Sequence, residues 1–333
     1  MTTLNDVLKR PLRDLRISVT DRCNFRCRYC MPVEIFGPDY QFLSRKEILT
    51  FEEITLVARE ACRLGAEKIR LTGGEPLLRR GIVDLVSQLA AIPGNKDLAM
   101  TSNGTLLEHY AQDLKKGGLH RVTVSLDALD EDIFAKMNGV GAKVSRVLAG
   151  IEAALTEGLP VKVNAVIQRG VNETEILPMI RWAKEQGVTL RFIEYMDVGE
   201  SNGWKLAEVV SAKEIIELVR QEFPISPAEP EYRGEVANRW RYDDGSGEFG
   251  VISSVSQPFC RDCTRLRLSA EGSLYTCLFA GSGHDLRPAL RGGNAEEEVV
   301  KELTQVWTLR QDRYSEERGE VTQKKAEMSY LGG

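Results

Sequence analysis

The sequence predicts a parallel α/β fold: a partial (β/α)6 barrel followed by a smaller α+β region. Three observations predict it. From residue 13 to about 196, apolar β-branched runs alternate with helical periodicity, and strands that alternate with helices join as parallel neighbours through right-handed crossovers. The run holds six strand-and-helix units, short of the eight that close a full barrel. After residue 200 the alternation gives way to short strand candidates broken by Gly, Asp and Ser. Periodicity alone leaves an open doubly wound sheet as the alternative.

The strands are LRISVT (15–20), KIRLT (68–72), LAMTS (98–102), RVTVSL (121–126), VKVNAVI (161–167) and TLRFIEYM (189–196). Helical spacing fills the intervals, for example across 51–65, 82–90 and 176–187. Gly65, Gly117, Gly158 and Gly187 stand where helices stop, because glycine readily takes the left-handed conformation that ends a helix. A turn-rich linker (201–208) leads to a helix at 212–223 closed by Pro224. Strand candidates follow at 236–242, 247–254, 264–270 and 273–279, then a helix at 296–307 and a charged tail ending in Leu-Gly-Gly. The division falls between a barrel at 1–205 and a C-terminal region at 206–333.

The chain has 333 residues, 42% hydrophobic and 28% charged, a globular composition able to bury a core. Lys plus Arg number 44 against 49 Asp plus Glu, a net charge of -5. That balance excludes a broadly basic nucleic-acid binder but not a local basic pocket. No apolar run approaches the roughly 18 residues of a membrane span, and the charged start lacks a signal-peptide core. The expectation is a cytoplasmic protein bound to neither membrane nor nucleic acid.

Six of seven cysteines form two groups of three: Cys23, Cys27 and Cys30, then Cys260, Cys263 and Cys277. Cys62 stands alone in an apolar helical pattern and reads as core packing. An odd number in a reducing compartment argues against a disulfide framework. The first group, in DRCNFRCRYC after strand one, places three thiolates within eight residues. Zinc normally takes four ligands; three Cys on a four-iron cluster leave one iron open to a small molecule. In the second group His284 could complete a zinc site, or the group could hold a second cluster. Thr264-Arg265-Leu266-Arg267 follows it, and strand alternation puts both guanidiniums on one face, which suits a phosphate-bearing substrate. Further cations lie on the barrel strands: Arg16 in register with Ser18 and Thr20, Lys68 and Arg70 with Thr72, Lys162 with Asn164, and Arg191. Helices bury the outer face of parallel strands, so these cations should face inward and meet a polyanion. There is no Gly-x-x-x-x-Gly-Lys-Ser/Thr phosphate loop.

Cys-x-x-x-Cys-x-x-Cys with Tyr29 before the last Cys, followed by Gly73-Gly74-Glu75-Pro76 after strand two, resembles the radical S-adenosylmethionine (SAM) superfamily. That resemblance implies a partial (β/α)6 barrel and a [4Fe–4S] cluster on Cys23, Cys27 and Cys30 that cleaves SAM to a 5′-deoxyadenosyl radical. With the second three-Cys group, Arg-x-Arg and the Gly-Gly end, essentially the whole chain, about 5 to 333, resembles the family of GTP 3′,8-cyclases, which perform the first step of molybdenum cofactor biosynthesis. The resemblance implies that Tyr29, Gly74, Ser125 and Met196 contact SAM. It implies that Cys260, Cys263 and Cys277 hold a second [4Fe–4S] cluster whose open iron meets the guanine of GTP. Arg16, Arg70, Thr101, Lys162, Arg265, Leu266 and Arg267 would bind GTP, and Gly332 and Gly333 would enter the site. Lys68 and Arg191 join this set on charge alone, although strict alternation sets Arg191 opposite Glu194 and Met196. An external one-electron donor and a handoff to the next pathway enzyme are implied; a homodimer is left open.

Two other readings compete. A radical SAM enzyme acting on a peptide or protein would usually carry more auxiliary cysteines. A zinc-stabilised RNA- or protein-binding module would need a contiguous basic surface with stacking aromatics.

Overall fold

The computed structural model describes residues 4–232, 234–318 and 324–332. In chain order the first part contains β1 (Asp14–Ser18), α1 (Phe51–Arg63), β2 (Lys68–Thr72), α2 (Ile82–Ala90), β3 (Asp97–Ser102), α3 (Leu107–Lys116), β4 (Arg121–Ser125), α4 (Glu131–Asn138), α5 (Val144–Thr156), β5 (Val161–Ile167), α6 (Ile176–Gln186) and β6 (Thr189–Glu194). The second contains α7 (Ala212–Arg220), β7 (Ile225–Ala228), β8 (Asn238–Tyr242), β9 (Glu248–Ile252), β10 (Arg265–Leu268), β11 (Ser273–Tyr275), β12 (His284–Asp285), α8 (Arg287–Leu290), α9 (Ala295–Thr308) and α10 (Met328–Leu331).

The strands form one sheet in the order β12-β11-β10-β1-β2-β3-β4-β5-β6-β9-β8-β7. The six expected barrel strands sit consecutively and run parallel. The C-terminal strands extend both edges of this sheet: β10 adds parallel to β1, and β9 adds parallel to β6. The chain between Ile252 and Arg265 therefore crosses from one sheet edge to the other, and it carries Cys260 and Cys263.

Local sequence explains the elements. Thr50 and Glu53 form a reciprocal capping box that starts α1, satisfying donors no helical carbonyl can reach. Its inner face buries Ile54, Val57, Ala58, Ala61 and Cys62 against the sheet. Ser211 and Glu214 start α7 in the same way. Alternation along β5 buries Val161, Val163, Ala165 and Ile167 outward, under the helices, and turns Lys162, Asn164 and Val166 inward. Leu15 and Ile17 of β1 likewise pack outward, fully buried. The inner positions are polar or charged instead of the branched residues that fill a closed barrel, so the sheet encloses a cavity of about 540 Å³.

Candidate active site

All six grouped cysteines line this one cavity, and all are free thiols. The first group leaves the C-terminal end of β1. The second lies at the opposite end: Cys260 and Cys263 precede β10, which runs parallel to β1, and Cys277 follows the antiparallel β11. A five-residue strand at about 3.3 Å per residue spans on the order of 16 Å between the two ends.

The first loop is held from several elements. Arg26 N–H donates to Asn138 O at 2.8 Å, and Arg26 Nε donates to Phe36 O at 2.6 Å. Gly74 N–H donates to Thr20 O and Glu75 N–H to Arg22 O, both at 2.8 Å. A Cβ at Gly74 would lie 2.2 Å from the Arg22 carbonyl oxygen, so the glycine is needed by the cysteine loop's own backbone. Glu75, buried, accepts from Ser102 Oγ at 2.9 Å and Asn103 N–H at 2.7 Å, and burial pushes its carboxyl up to about 7. Tyr29 Oη donates to Asp127 Oδ2 at 2.9 Å, while Val166 N–H donates to Asp127 Oδ1 at 2.9 Å. Burial raises the Cys23 thiol to about 11 and the Cys27 and Cys30 thiols further. A metal that binds these thiols must displace their protons, since the thiolate is the ligand.

The second loop is electrostatically different. Arg265 Nε donates to Cys263 Sγ at 3.3 Å, and Arg310 Nη2 donates to it at 3.0 Å. Burial works to raise this thiol, but the Arg265 and Arg310 guanidiniums prevail and bring it down to about 6. Cys277 follows burial and rises to about 11. His284 stands apart: its Nε2 is 2.6 Å from Glu302 Oε2, it is exposed, and it does not line the cavity. Sequence spacing left His284 open as a fourth ligand; its place on β12 removes it from that role.

Between the two loops the inner strand face is cationic. Register sets Arg267, Arg16 and Arg70 side by side on β10, β1 and β2. Asp14 answers Arg16 only at 3.9 Å, and Asp97 answers Arg121 at 2.7 Å and Lys68 at 3.5 Å. Arg70 donates, among the described residues, only to the hydroxyls of Thr101 and Thr123, at 3.1 and 3.4 Å, and Arg191 only to Thr123 Oγ1 at 3.3 Å. Arg265 lies over the Phe259 ring at 5.1 Å. Among the described residues none of Arg70, Arg191, Arg265 and Arg267 has a carboxylate within ion-pair distance. Burial pushes Arg70 and Arg267 well below the usual arginine range, Arg191 to about 10 and Lys68 to about 8. The Nε atoms of Arg16, Arg70 and Arg191 are buried without a hydrogen-bond partner among the described residues. Buried unpaired cations are costly, and an anionic ligand would supply the missing partner.

The expected site residues converge here with few exceptions. Tyr29, Gly74, Ser125 and Met196 line the end near the first loop; Arg16, Lys68, Arg70, Thr101, Arg191, Arg265 and Arg267 line the lumen. Arg191 shares the inner face with Ile193, and Met196 still reaches the cavity because β6 ends at Glu194 and the chain turns. Lys162 keeps the inner face of β5 but does not line the cavity; burial, then Arg191 and Arg121, lower its ammonium. Leu266 is fully buried in the core and does not line the cavity. The tail returns to this site: Arg267 Nη1 donates to Gly332 O, and a Cβ at Gly332 would meet the Thr72 side chain. Gly333 lies outside the described residues.

Sequence reading missed Asp14, Asn103, Asp127, Asn164 and Arg310, which also line the cavity. Asn164 was available from alternation, as the inward neighbour of Lys162. Asn103, Asp127 and Arg310 lie in loops, where no periodicity marks direction.

The first loop's donor set fits a cluster better than one ion. Among the described residues no three His, Cys, Asp or Glu are gathered to hold a single metal. Three free thiols on one cavity wall, with Cys62 away in the core, suit a four-iron cluster that keeps one iron open.

Comparisons with known proteins follow this geometry. Residues 17–183 match the radical SAM superfamily, and residues 188–316 match the family Molybdenum Cofactor Synthesis C. A GTP 3′,8-cyclase of Acidothermus cellulolyticus is 53% identical over 99% of both chains. One of Staphylococcus epidermidis is 48% identical, and one of Staphylococcus aureus 47%, again over 99% of both. In fold the chain is similar to Streptococcus suis SuiB bound to S-adenosylmethionine, with a TM-score of 0.63 at 16% identity over 93% of this chain and 69% of that one. It is also similar to methylornithine synthase, with a TM-score of 0.51 at 18% identity over 63% and 62%. With these matches spanning both cysteine loops and relatives alike over nearly the full length, the chain belongs to the GTP 3′,8-cyclase family of radical SAM enzymes.

Proposed function

We propose that this cavity converts GTP to (8S)-3′,8-cyclo-7,8-dihydroguanosine 5′-triphosphate, the first step of molybdenum cofactor biosynthesis. The observation that carries the reading is a lumen of under-neutralised arginines set between two three-cysteine loops. Cys23, Cys27 and Cys30 would hold the [4Fe–4S] cluster that binds SAM, beside Tyr29, Gly74, Ser125 and Met196. Cys260, Cys263 and Cys277 would hold a second [4Fe–4S] cluster, whose iron without a protein ligand would face guanine. When bound, the reduced first cluster and SAM would supply a 5′-deoxyadenosyl radical able to take the ribose 3′ hydrogen. Joining C3′ to guanine C8 would then leave a nucleotide radical that one further electron and one proton must quench to give the dihydro product.

The chain's own residues do the rest. Arg16, Lys68, Arg70, Arg191, Arg265 and Arg267, with Thr101, neutralise and fix the triphosphate, which carries about four negative charges, and Lys162 adds positive potential from the inner face of β5. That remote binding energy positions C3′ and C8. Tyr29, oriented by Asp127, borders the SAM end. The C-terminal segment, with Gly332 on Arg267 and Thr72, covers the cavity against water and oxygen. An external one-electron donor starts each cycle, and the next pathway enzyme takes the product.

The test is anaerobic turnover of reconstituted protein with SAM, GTP and a reductant. The expected result is GTP-dependent 5′-deoxyadenosine together with the cyclised nucleotide. In Arg265→Ala and Arg267→Ala, SAM cleavage should persist while GTP cyclisation is lost. Cyclisation at the parent rate in those variants would remove the phosphate clamp, and SAM cleavage with no consumption of GTP by the parent would remove GTP as substrate.

A further inference from the structure

Cys263 differs from the other cysteines in that an arginine outside the cationic strand face donates to its sulfur. Arg310, just past α9, is 1% exposed at its side chain. It donates through Nη1 to Cys263 O at 2.7 Å and through Nη2 to Cys263 Sγ at 3.0 Å. Its guanidinium lies over the Trp307 ring, 4.6 Å from the centroid. Asp6 Oδ2 is 3.6 Å from Arg310 Nη1 and 2.5 Å from Arg10 Nε. Arg10 in turn donates Nη1 to Cys260 O and to Asp312 O, both at 2.8 Å, and Trp307 Nε1 donates to Arg10 O at 3.2 Å. Two buried arginines, one early and one late in the chain, thus hold the backbone of both cysteines in this loop, and one of them also reaches a sulfur.

In the first loop, among the described residues, no arginine reaches the sulfur of Cys23, Cys27 or Cys30. Cys23 Sγ accepts the Phe25 N–H at 3.4 Å and a long contact from Asn103 Nδ2 at 3.9 Å. Arg26 Nη1 donates to the Cys23 and Phe25 carbonyls, at 2.9 and 2.7 Å, and not to a sulfur. Hydrogen bonds and positive charge at a ligating sulfur stabilise the more electron-rich state of an iron–sulfur centre and raise its reduction potential.

We propose that Arg310 is a positioning residue that raises the reduction potential of the centre on Cys260, Cys263 and Cys277 above that of the SAM centre, through its hydrogen bond to the Cys263 sulfur. Asp6, Arg10 and Trp307 keep it aimed. The inference rests on the reading above that this loop holds a cluster. A single electron entering the protein then favours the second centre. Arg265 also donates to Cys263, but it belongs to the substrate clamp and its effect changes with bound GTP; Arg310 acts in the empty enzyme as well.

The test uses full-length protein with Cys23, Cys27 and Cys30 replaced by Ala, so that only the second centre remains. Iron and sulfide are measured first, then an EPR-monitored redox titration without GTP. About four iron per chain upholds the second-cluster reading; no iron would overturn that reading and this inference with it. Arg310→Met in that background should keep its iron and titrate at a more negative potential, with Arg310→Lys in between. An unchanged midpoint in Arg310→Met at full iron content would overturn the proposal while leaving the cluster reading intact. If Arg310→Met loses iron, Arg310→Lys decides. A loaded Lys variant with a lowered midpoint supports the proposal, and a Lys variant that also fails to load makes Arg310 an assembly residue only and overturns it.

Discussion

Arg70 shows what single residues in this site give up. It is buried in the lumen, donates among the described residues only to threonine hydroxyls, and has Arg16, Arg121 and Arg191 as electrostatic neighbours against the single carboxylate of Asp14. A cation so placed lowers the stability of the empty protein and strengthens binding of a polyphosphate. Arg70→Met should therefore raise the unfolding free energy of the ligand-free protein by about 1–3 kcal/mol and weaken GTP binding roughly 10- to 100-fold. Thermal unfolding without nucleotide and equilibrium binding of GTP check the two halves. A variant that is less stable yet binds GTP normally would show that Arg70 is structural. Alternation along a buried parallel strand made Arg16 and Arg70 legible before any coordinates, since an apolar outer face leaves a charged side chain only the inside.

Among elements, the segment after α9 has the clearest job. Asp197, just beyond β6, accepts from Tyr314 Oη at 2.6 Å, from Arg318 Nε at 2.9 Å and from Lys325 Nζ at 2.9 Å. Phe279 stacks on Tyr314 with centroids 4.4 Å apart, and Lys325 lies over that ring at 4.9 Å. This anchor precedes α10 and the Gly332 contact with Arg267. Burial would raise the Asp197 carboxyl, but its hydrogen bonds from Tyr314 and Lys325 and the nearby Arg318 hold it below the usual carboxylate value. Its stabilisation is therefore present above about pH 3.9 and fades only as pH falls below that. Lys325 is raised by Tyr314 and Asp197 against burial, so its share persists below about pH 10.4 and fades only above. Tail docking should be insensitive to pH between those limits. Asp197→Asn should shift the docked-to-open ratio by about 2 kcal/mol, roughly 30-fold, speeding proteolysis of the tail and lowering GTP turnover while iron content stays unchanged. Parent-like protease resistance in Asp197→Asn would exclude the anchor.

For the whole molecule, the arrangement of strands decides how the two cysteine groups meet. Eight parallel strands, β10, β1 to β6 and β9, surround the lumen, and the segment between β9 and β10 bridges their open side. The parent protein should carry about eight iron and eight sulfide, and replacing Cys260, Cys263 and Cys277 by Ala should leave about four of each, with SAM cleavage retained and cyclisation lost. Zinc in place of iron in the second loop would contradict this. The six barrel strands were legible because each repeats the same local pattern of apolar run, helix and turn. The cysteine groups were legible because ligand spacing within one loop is local. Their placement at opposite ends of one lumen was not, because it depends on β10 pairing with β1 across about 250 residues. For the same reason Arg10 and Arg310 carried no sequence signal: each meets the second loop only after the sheet has closed around it.

The grip of Asp6, Arg10 and Arg310 on that loop also bears on the order in which the sites can be made. Chains emerge from the ribosome N-terminal end first. The partners of the first loop, Asn103, Asp127 and Asn138, are all present once less than half of the chain has been synthesised. The second loop waits for Arg310 and Asp312. The first cysteine loop can thus take shape on a nascent chain, while the second is completed only on a nearly finished one.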